Sequence, residues 1–509
     1  MRRPDRRSKI VCTLGPSIQT EEALSDLILA GMDVARINFS HGAHEQHKIW
    51  ADWIRNASNK LNIPVAILGD LQGPKIRTGK ISTDPKEMNS QFNSLPLRVG
   101  QSLFFRGLDS GEAKKSGDGS KKNPITISYP RLAVDLKIAD IVLFDDGLVR
   151  MKVTETFPTE NLVQLTVEHG KTLGENKGVN MPGAKLSTLG ITEKDWGDIQ
   201  FALDHNFDFL ALSFVRSARE VKSLKNFLTS RGSSAQVISK IEKAEALENL
   251  DEILFQSDGL MVARGDLGVE IGNDKVPLVQ KDIIRRSRLS GKPVITATQM
   301  LMSMVSSPTP TRAEASDVAN AVLDGSDALM LSNETASGDF PLESVRTMHN
   351  IILGAEGIQP GQFGVKDTRN SFFSGETIPI SEAIEAAATS LARSIGAKAL
   401  ACLTRSGQAA RQLAKYRPPV PIFAFAENPK VRAQLCLCWG VSVVPWKEVT
   451  AQDYTLFDEL VSELGRLGFL SDGDSSVLTA GIPTSRQVGT TNTVVVKKFP
   501  VRRDSTSGV

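Results

Sequence analysis

The sequence predicts an α/β fold: a (β/α)8 TIM barrel with an inserted small all-β cap domain and a C-terminal α/β domain. Three observations predict it. Eight short runs rich in Val, Ile and Leu alternate with helical patterns, as in βα units around a parallel sheet, and eight strands close a barrel. That spacing breaks once, after the third run, where Gly-rich text of alternating hydrophobicity intervenes. Past a stretch rich in Gly, Ser, Thr and Pro, a separate α/β pattern begins.

The eight barrel strands are expected at 9–15, 34–38, 65–71, 207–214, 236–242, 259–264, 293–298 and 328–331, with helices such as 217–230 and 276–290 between them. Several end in polar residues: Asn38, Asp70, Glu242, Asp266, Thr298 and Glu334. In a barrel the carboxyl ends of the strands build the site. The cap, 77–183, reads as short antiparallel strands at 125–127, 141–144, 149–153 and 162–167, placed to act as a lid. The barrel occupies 1–76 and 184–355. The region 356–509 comprises a linker, read at 354–379, and the last domain, with strands at 397–403, 421–425, 441–444, 475–479 and 492–496. That domain lacks the acidic strand ends of the barrel, which suggests regulation or assembly.

Sixty basic against 58 acidic residues give a net charge of +2, so nucleic acid is not expected as a partner. No apolar run approaches the ~20 residues of a membrane span, and the basic start at Met1–Arg7 lacks the apolar core of a secretory signal. A cytoplasmic protein is expected. Four cysteines do not make a disulfide framework. Cys12 and Cys402 read as strand core, and Cys436 and Cys438 as two faces of a helix.

The most informative chemistry is Lys240-Ile241-Glu242 at one strand end and Ala263-Arg264-Gly265-Asp266 at the next. Two carboxylates suit a divalent cation, and the lysine beside them faces the anion such a cation bridges. A phosphate ester fits this arrangement; a buried ion pair on neighbouring strands is the plainer alternative. The run Arg36-Ile37-Asn38-Phe39-Ser40-His41-Gly42 and the run from Asp70 to Arg77 add arginines for phosphate oxygens, and Asn, Ser and Asp oxygens for a hard cation. His41, His44 and His47 are spaced by three, but a solvated helix start explains them better than a metal site. Gly170-Lys171-Thr172 mimics the tail of a P-loop without its upstream glycine or a following helix, and is rejected. Thr404-Arg405-Ser406-Gly407-Gln408 joins a strand to a helix, where either an anion site or an ordinary turn fits.

Taken together, Arg36–Gly42, Gly73-Pro74-Lys75-Ile76-Arg77-Thr78-Gly79, Lys177-Gly178-Val179-Asn180-Met181-Pro182-Gly183, Ile238–Glu242, Met261–Gly268 and Thr311–Asn320 resemble the pyruvate kinase family over nearly the whole chain. The resemblance implies phosphoryl transfer from phosphoenolpyruvate to ADP. By motif, Glu242 and Asp266 would hold Mg2+ or Mn2+, and Lys240 would neutralise the phosphoryl group. Gly265, Asp266 and Thr298 would hold the substrate carboxylate, with Thr298 on the proton route to the enolate. Arg36 and Arg77 would contact the transferring phosphate, while Asn38, His41, Arg77 and Lys177 would serve the nucleotide. The family's K+ site would map to Asn38, Ser40, Asp70 and the Leu71 carbonyl. Here Lys75 stands in place of the usual glutamate, so independence of K+ is expected. The family also implies a homotetramer. Ala409 and Ile482 depart from phosphate-regulated relatives, so fructose 1,6-bisphosphate is not expected to activate. Asn333 replaces a usual glycine, which suggests slight strain. An aldolase-type lyase and a catalytically silent regulatory subunit remain the rival readings.

Overall fold

The computed structural model describes residues 5–81, 94–109, 116–187, 190–357, 378–446, 455–482 and 491–500. Eight parallel strands close a barrel in chain order: Lys9–Thr13, Val34–Asn38, Ala66–Asp70, Phe209–Leu212, Gln236–Ile241, Gly259–Ala263, Val294–Ala297 and Ala328–Leu331. The last pairs with the first through Lys9 and Ala328. Both faces of these strands are covered, so they read as unbroken apolar runs and not as alternation. The inward face holds Val11, Val34, Leu68, Phe209, Ile238, Met261 and Ile295, and the outward face packs Ile10, Ile37, Ile67, Val237 and Val262 against the helices.

All eight expected strands are present. Most stop one or two residues early, because Leu71, Glu242, Arg264 and Thr298 leave the ladder as turn residues at the barrel mouth. The helices start where short polar side chains satisfy free amides. Thr192 with Asp195, Ser217 with Glu220 and Thr311 with Glu314 form capping boxes at Glu193–Asp204, Ala218–Ser230 and Arg312–Asp324.

The cap sheet runs Val179–Asn180, Ile141–Phe144, Val149–Phe157, Leu162–His169, Ser102–Gly107, Ile125–Ile127 in spatial order. One expectation fails here: Ile125–Ile127 pairs parallel, not antiparallel, with Ser102–Gly107. The connection 108–124 has the crossover length that a parallel pair requires. Phe105, Phe144, Val149, Met151, Val153 and Leu165 form a core separate from the barrel's. Thr172–Gly174 is a strand, so the Gly170-Lys171-Thr172 run has no helix behind it.

The last domain is a five-stranded sheet ordered Val441–Pro445, Ile422–Ala426, Ala399–Leu403, Ser475–Ala480, Thr493–Lys498, parallel except for the final strand. The helix Pro429–Leu435 ends before Cys436, so the two cysteines do not lie on opposite helix faces as expected. Instead Ala433, Cys436 and Leu437 join the barrel's inward cluster and plug its floor. All four thiols are buried and free. The helix Pro341–Glu356 extends through Gly354, and 358–377 of the expected linker lie outside the described residues. No helix among the described residues is long and apolar enough to cross a membrane.

Candidate active site

At the mouth of the barrel, Lys240 ends the fifth strand's buried polar face. Its Nζ lies 3.1 Å from Asp70 Oδ1, 3.0 Å from Glu242 Oε1 and 2.7 Å from Ser213 Oγ. Both carboxylates are 1% exposed and the lysine side chain 12%. Burial works against the ammonium, but Asp70 and Glu242 outweigh it and hold the Lys240 pKa above the usual lysine value. Burial likewise pushes the Asp70 carboxyl up, yet Lys240 and Arg36 overcome it and keep it ionised. Glu242 goes the other way: burial and the nearby Asp266 charge raise its carboxyl despite Lys240. A further cation beside Glu242 would offset that burial and repulsion and favour its charged form.

Arg36 Nε sits 2.7 Å from Asp70 Oδ2, and its Nη1 donates to Thr13 Oγ1 at 2.9 Å. His41 is exposed beside it, and its pKa is lowered by burial and then by Arg77, Lys75 and Arg36. Three cations thus converge near one imidazole on the rim of the mouth. Arg77 Nη1 donates to the Asn176 carbonyl at 2.9 Å, and Lys177 Nζ lies 3.0 Å from Asp145 Oδ1, so both are held by the cap. Pro74, Asp146, Gly178, Phe214, Asp266 and Glu270 line the cleft between cap and barrel.

Asn38 Oδ1 accepts the Ser40 amide at 3.1 Å, and the Leu71 carbonyl accepts the Ser213 hydroxyl at 2.7 Å. Lys75 is exposed and reaches over Gly178, while Asp70 is occupied by Arg36 and Lys240. On the opposite rim, Gly265 N–H donates to Thr298 Oγ1 at 3.0 Å, and that hydroxyl donates to the Ala297 carbonyl at 2.6 Å. Phe214, Thr298 and Gln299 carry φ of 54°, 67° and 54°. Non-glycine residues held there cost about 1–3 kcal/mol each and cluster at functional sites.

Two residues escaped the sequence reading. Ser213 is buried and bridges Lys240 to the Leu71 carbonyl, and Phe214 N–H donates to Glu242 Oε2 at 2.6 Å. The signal was available, since both follow the fourth strand as Asp70 ends the third. Glu334 does not serve the mouth: its buried carboxylate accepts the amides of Leu301 and Ser332 at 3.0 Å and 2.7 Å. Asn333 opens the helix Asn333–Ala336 without positive φ, so the expected strain is absent. The solvated helix start holds for the exposed His41, but the other two histidines are engaged. His44 Nε2 lies 2.7 Å from Asp198 Oδ1, and His47 is buried with its Nε2 2.9 Å from the His41 carbonyl, among Phe39 and Phe201. Among the described residues no group of three His, Cys, Asp or Glu is placed to hold a metal ion. In the last domain, Thr404 Oγ1 accepts the Gly407 amide at 2.9 Å, closing that turn on itself.

A buried lysine between carboxylates at a barrel mouth, covered by a β cap and followed by an α/β domain, defines a phosphotransferase of the capped-barrel type. Residues 5–345 match the family model described as pyruvate kinase, barrel domain, and 382–497 the one described as pyruvate kinase, alpha/beta domain. A pyruvate kinase of Sporosarcina psychrophila is 43% identical over 96% of this chain and 79% of its own length. One from Staphylococcus epidermidis is 41% identical over the same shares. A solved pyruvate kinase from Cryptosporidium parvum superposes with a TM-score of 0.87 at 35% identity, over 97% of each chain. The chain belongs to the pyruvate kinase family.

Proposed function

We propose that this cleft transfers the phosphoryl group of phosphoenolpyruvate to ADP, giving ATP and pyruvate. The observation that carries the reading is Lys240: a buried, permanently charged ammonium with Asp70, Glu242 and Asp266 around it. Such fixed charge stabilises a phosphoryl group in flight without reorganisation at the moment of reaction.

Glu242 and Asp266 fit a divalent cation such as Mg2+ or Mn2+, since the Asp266 charge raises the Glu242 carboxyl and a shared positive charge would offset that repulsion. Bound there, the ion would supply charge neutralisation for substrate oxygens. Lys240 and Arg36 hold the phosphoryl oxygens from the barrel side. The backbone at Gly265 and Asp266, with Thr298, holds the substrate carboxylate. Once the phosphoryl group has left, the enolate carbon takes a proton from the Thr298 hydroxyl or from water relayed through it. Arg77, His41, Asn38 and Lys177 bind the polyphosphate, in keeping with the cationic rim around His41. Arg77 and Lys177 are anchored on the cap, so closing it delivers them and excludes water.

We also read the enzyme as independent of K+. Arg36 and Lys240 already match Asp70, and Lys75 adds positive charge near His41, so the corner formed by Asn38, Ser40, Asp70 and Leu71 does not need a free cation. Family membership supports a cytoplasmic homotetramer, which sedimentation checks directly. A coupled assay of pyruvate formation tests the main reading. Pyruvate should form from phosphoenolpyruvate only when ADP and a divalent cation are present; formation without ADP would favour a lyase, and none at all a silent subunit.

A further inference from the structure

Arg264 opens the helix Arg264–Ile271 directly after the sixth barrel strand, and the mechanism above gives it no task. Its side chain, 11% exposed, reaches sideways to the end of the seventh strand. There Nη2 donates to the Thr298 carbonyl at 2.7 Å and to the Gln299 carbonyl at 3.1 Å. Nε lies 3.3 Å from the Ala297 carbonyl and 3.2 Å from that of Thr298. Nη1 is anchored by both oxygens of Asp317, at 2.9 Å and 2.7 Å, on the helix Arg312–Asp324. Thr298 and Gln299 are the two neighbours that hold positive φ, at 67° and 54°. A β-branched threonine avoids that region unless its surroundings impose it. From the other direction, Gly265 donates its N–H to Thr298 Oγ1 at 3.0 Å. Side chain and backbone of 264–265 thus grip one turn from two sides.

We propose that Arg264, braced by Asp317, is a positioning residue that holds the Thr298–Gln299 turn in its left-handed form and so aims the Thr298 hydroxyl at the enolate. Arginine suits the task because its five donors lie in one rigid plane and satisfy several carbonyls of a single turn together. A lysine ammonium matches the charge but not the plane. Released, the turn relaxes toward negative φ and carries the hydroxyl away from the reacting carbon. A displacement on the order of 1 Å in such a group costs on the order of 100-fold in rate. The donors of Arg264 are engaged by carbonyls and Asp317, so the loss falls on kcat and leaves KM for phosphoenolpyruvate nearly unchanged.

The proposal rests on the assignment of Thr298, and a double-mutant cycle of Arg264→Lys and Thr298→Ala separates the two. It is read by steady-state kinetics and by deuterium exchange into the methyl group of pyruvate, which reports the protonation step in reverse. Each single variant should lose kcat and exchange together, with KM moving less than about threefold in Arg264→Lys and further in Thr298→Ala, which also gives up a contact to the substrate carboxylate, and the double variant should be no slower than the worse single. Losses that multiply would overturn the role of Arg264 while leaving that of Thr298 intact. Wild-type exchange in Thr298→Ala would overturn the Thr298 assignment and this proposal with it. Adding Gln299→Gly to Arg264→Lys supplies the decisive control, because glycine adopts positive φ freely. Partial recovery of kcat is expected; a further loss, or none regained, counts against a held turn.

Discussion

Replacing Lys240 by methionine keeps most of the side chain's bulk and removes only the charge, leaving Asp70 and Glu242 facing one another without it. Turnover should fall by several orders of magnitude, since the charge acts on the transition state, while the apparent affinity for phosphoenolpyruvate changes far less. Near-normal turnover would refute the assignment. Lys75 is a subtler case at the same scale, because it is exposed, whereas Asp70 is already paired with Arg36 and Lys240. Activity in K+ and in tetramethylammonium at matched ionic strength should be nearly equal, and Lys75→Glu should create a requirement for K+. An enzyme almost inactive without K+ sinks that idea. Glu385, far from the mouth, offers a test by pH: burial and then the neighbouring Glu382 charge raise its carboxyl to about 8, against opposing help from Thr491 and Lys415. Its folded pKa exceeds the unfolded one, so the folded state binds the extra proton and stability drains as pH climbs from about 4.5 to 8. Glu385→Gln should melt close to wild type at pH 5 and above it at pH 9; equal slopes of melting temperature against pH would contradict the shift.

The cap acts at the scale of an element. Its own core is complete, and its charged contacts near the cleft are side-chain pairs of modest strength. Lys177 is paired with Asp145, both partly exposed at 40% and 31%, and such a pair contributes only about 0–1 kcal/mol. Asp145→Asn therefore should not change the melting temperature measurably, but it should lower the KM for ADP by up to about fivefold by freeing the lysine. An unchanged or raised KM for ADP would argue that Lys177 does not serve the nucleotide. The sequence showed the cap as an insertion because its period-2 alternation differs from the unbroken apolar runs on either side. It did not show the parallel pairing of Ile125–Ile127, since strand direction depends on a connection whose path leaves no periodic trace.

Across the whole molecule, the barrel has two closed ends: the cap over the mouth and the last domain under the floor. Ala433, Cys436 and Leu437 fill the floor, Lys9 Nζ donates to the Val441 carbonyl at 2.8 Å, and Arg417 Nη1 lies 3.0 Å from Asp327 Oδ1. Asp327 also accepts the amides of Val294 and Trp439, so one buried carboxylate ties two barrel strands to the far domain. Removing one partner of a buried pair costs about 3–5 kcal/mol, because the other charge stays buried without it. Asp327→Asn should therefore lower the melting temperature clearly while leaving KM for both substrates near wild type in the protein that remains folded. Unchanged stability would show that the interface does not depend on this pair.

The sequence by itself determined the class of fold, the order of its parts and most of the polar residues that the fold brings to the barrel mouth. Strands buried on both faces must be apolar, and the polar residues that end them stand out against that background at Asp70, Glu242 and Asp266. It also misread residues of the same type. Glu334 ends a strand as the others do, yet it serves two backbone amides, and His44 and His47 belong to an aromatic cluster. Only the tertiary structure decided which polar groups meet. Lys240 touches Asp70 and Ser213, which lie 170 and 27 positions away along the chain, because barrel closure brings separate strand ends to one rim. It likewise decided that Arg264 turns toward Thr298 and that Cys436 closes the floor. Periodicity records the burial of each residue, whereas the partner across a barrel is fixed by strand tilt and register, which no local pattern encodes.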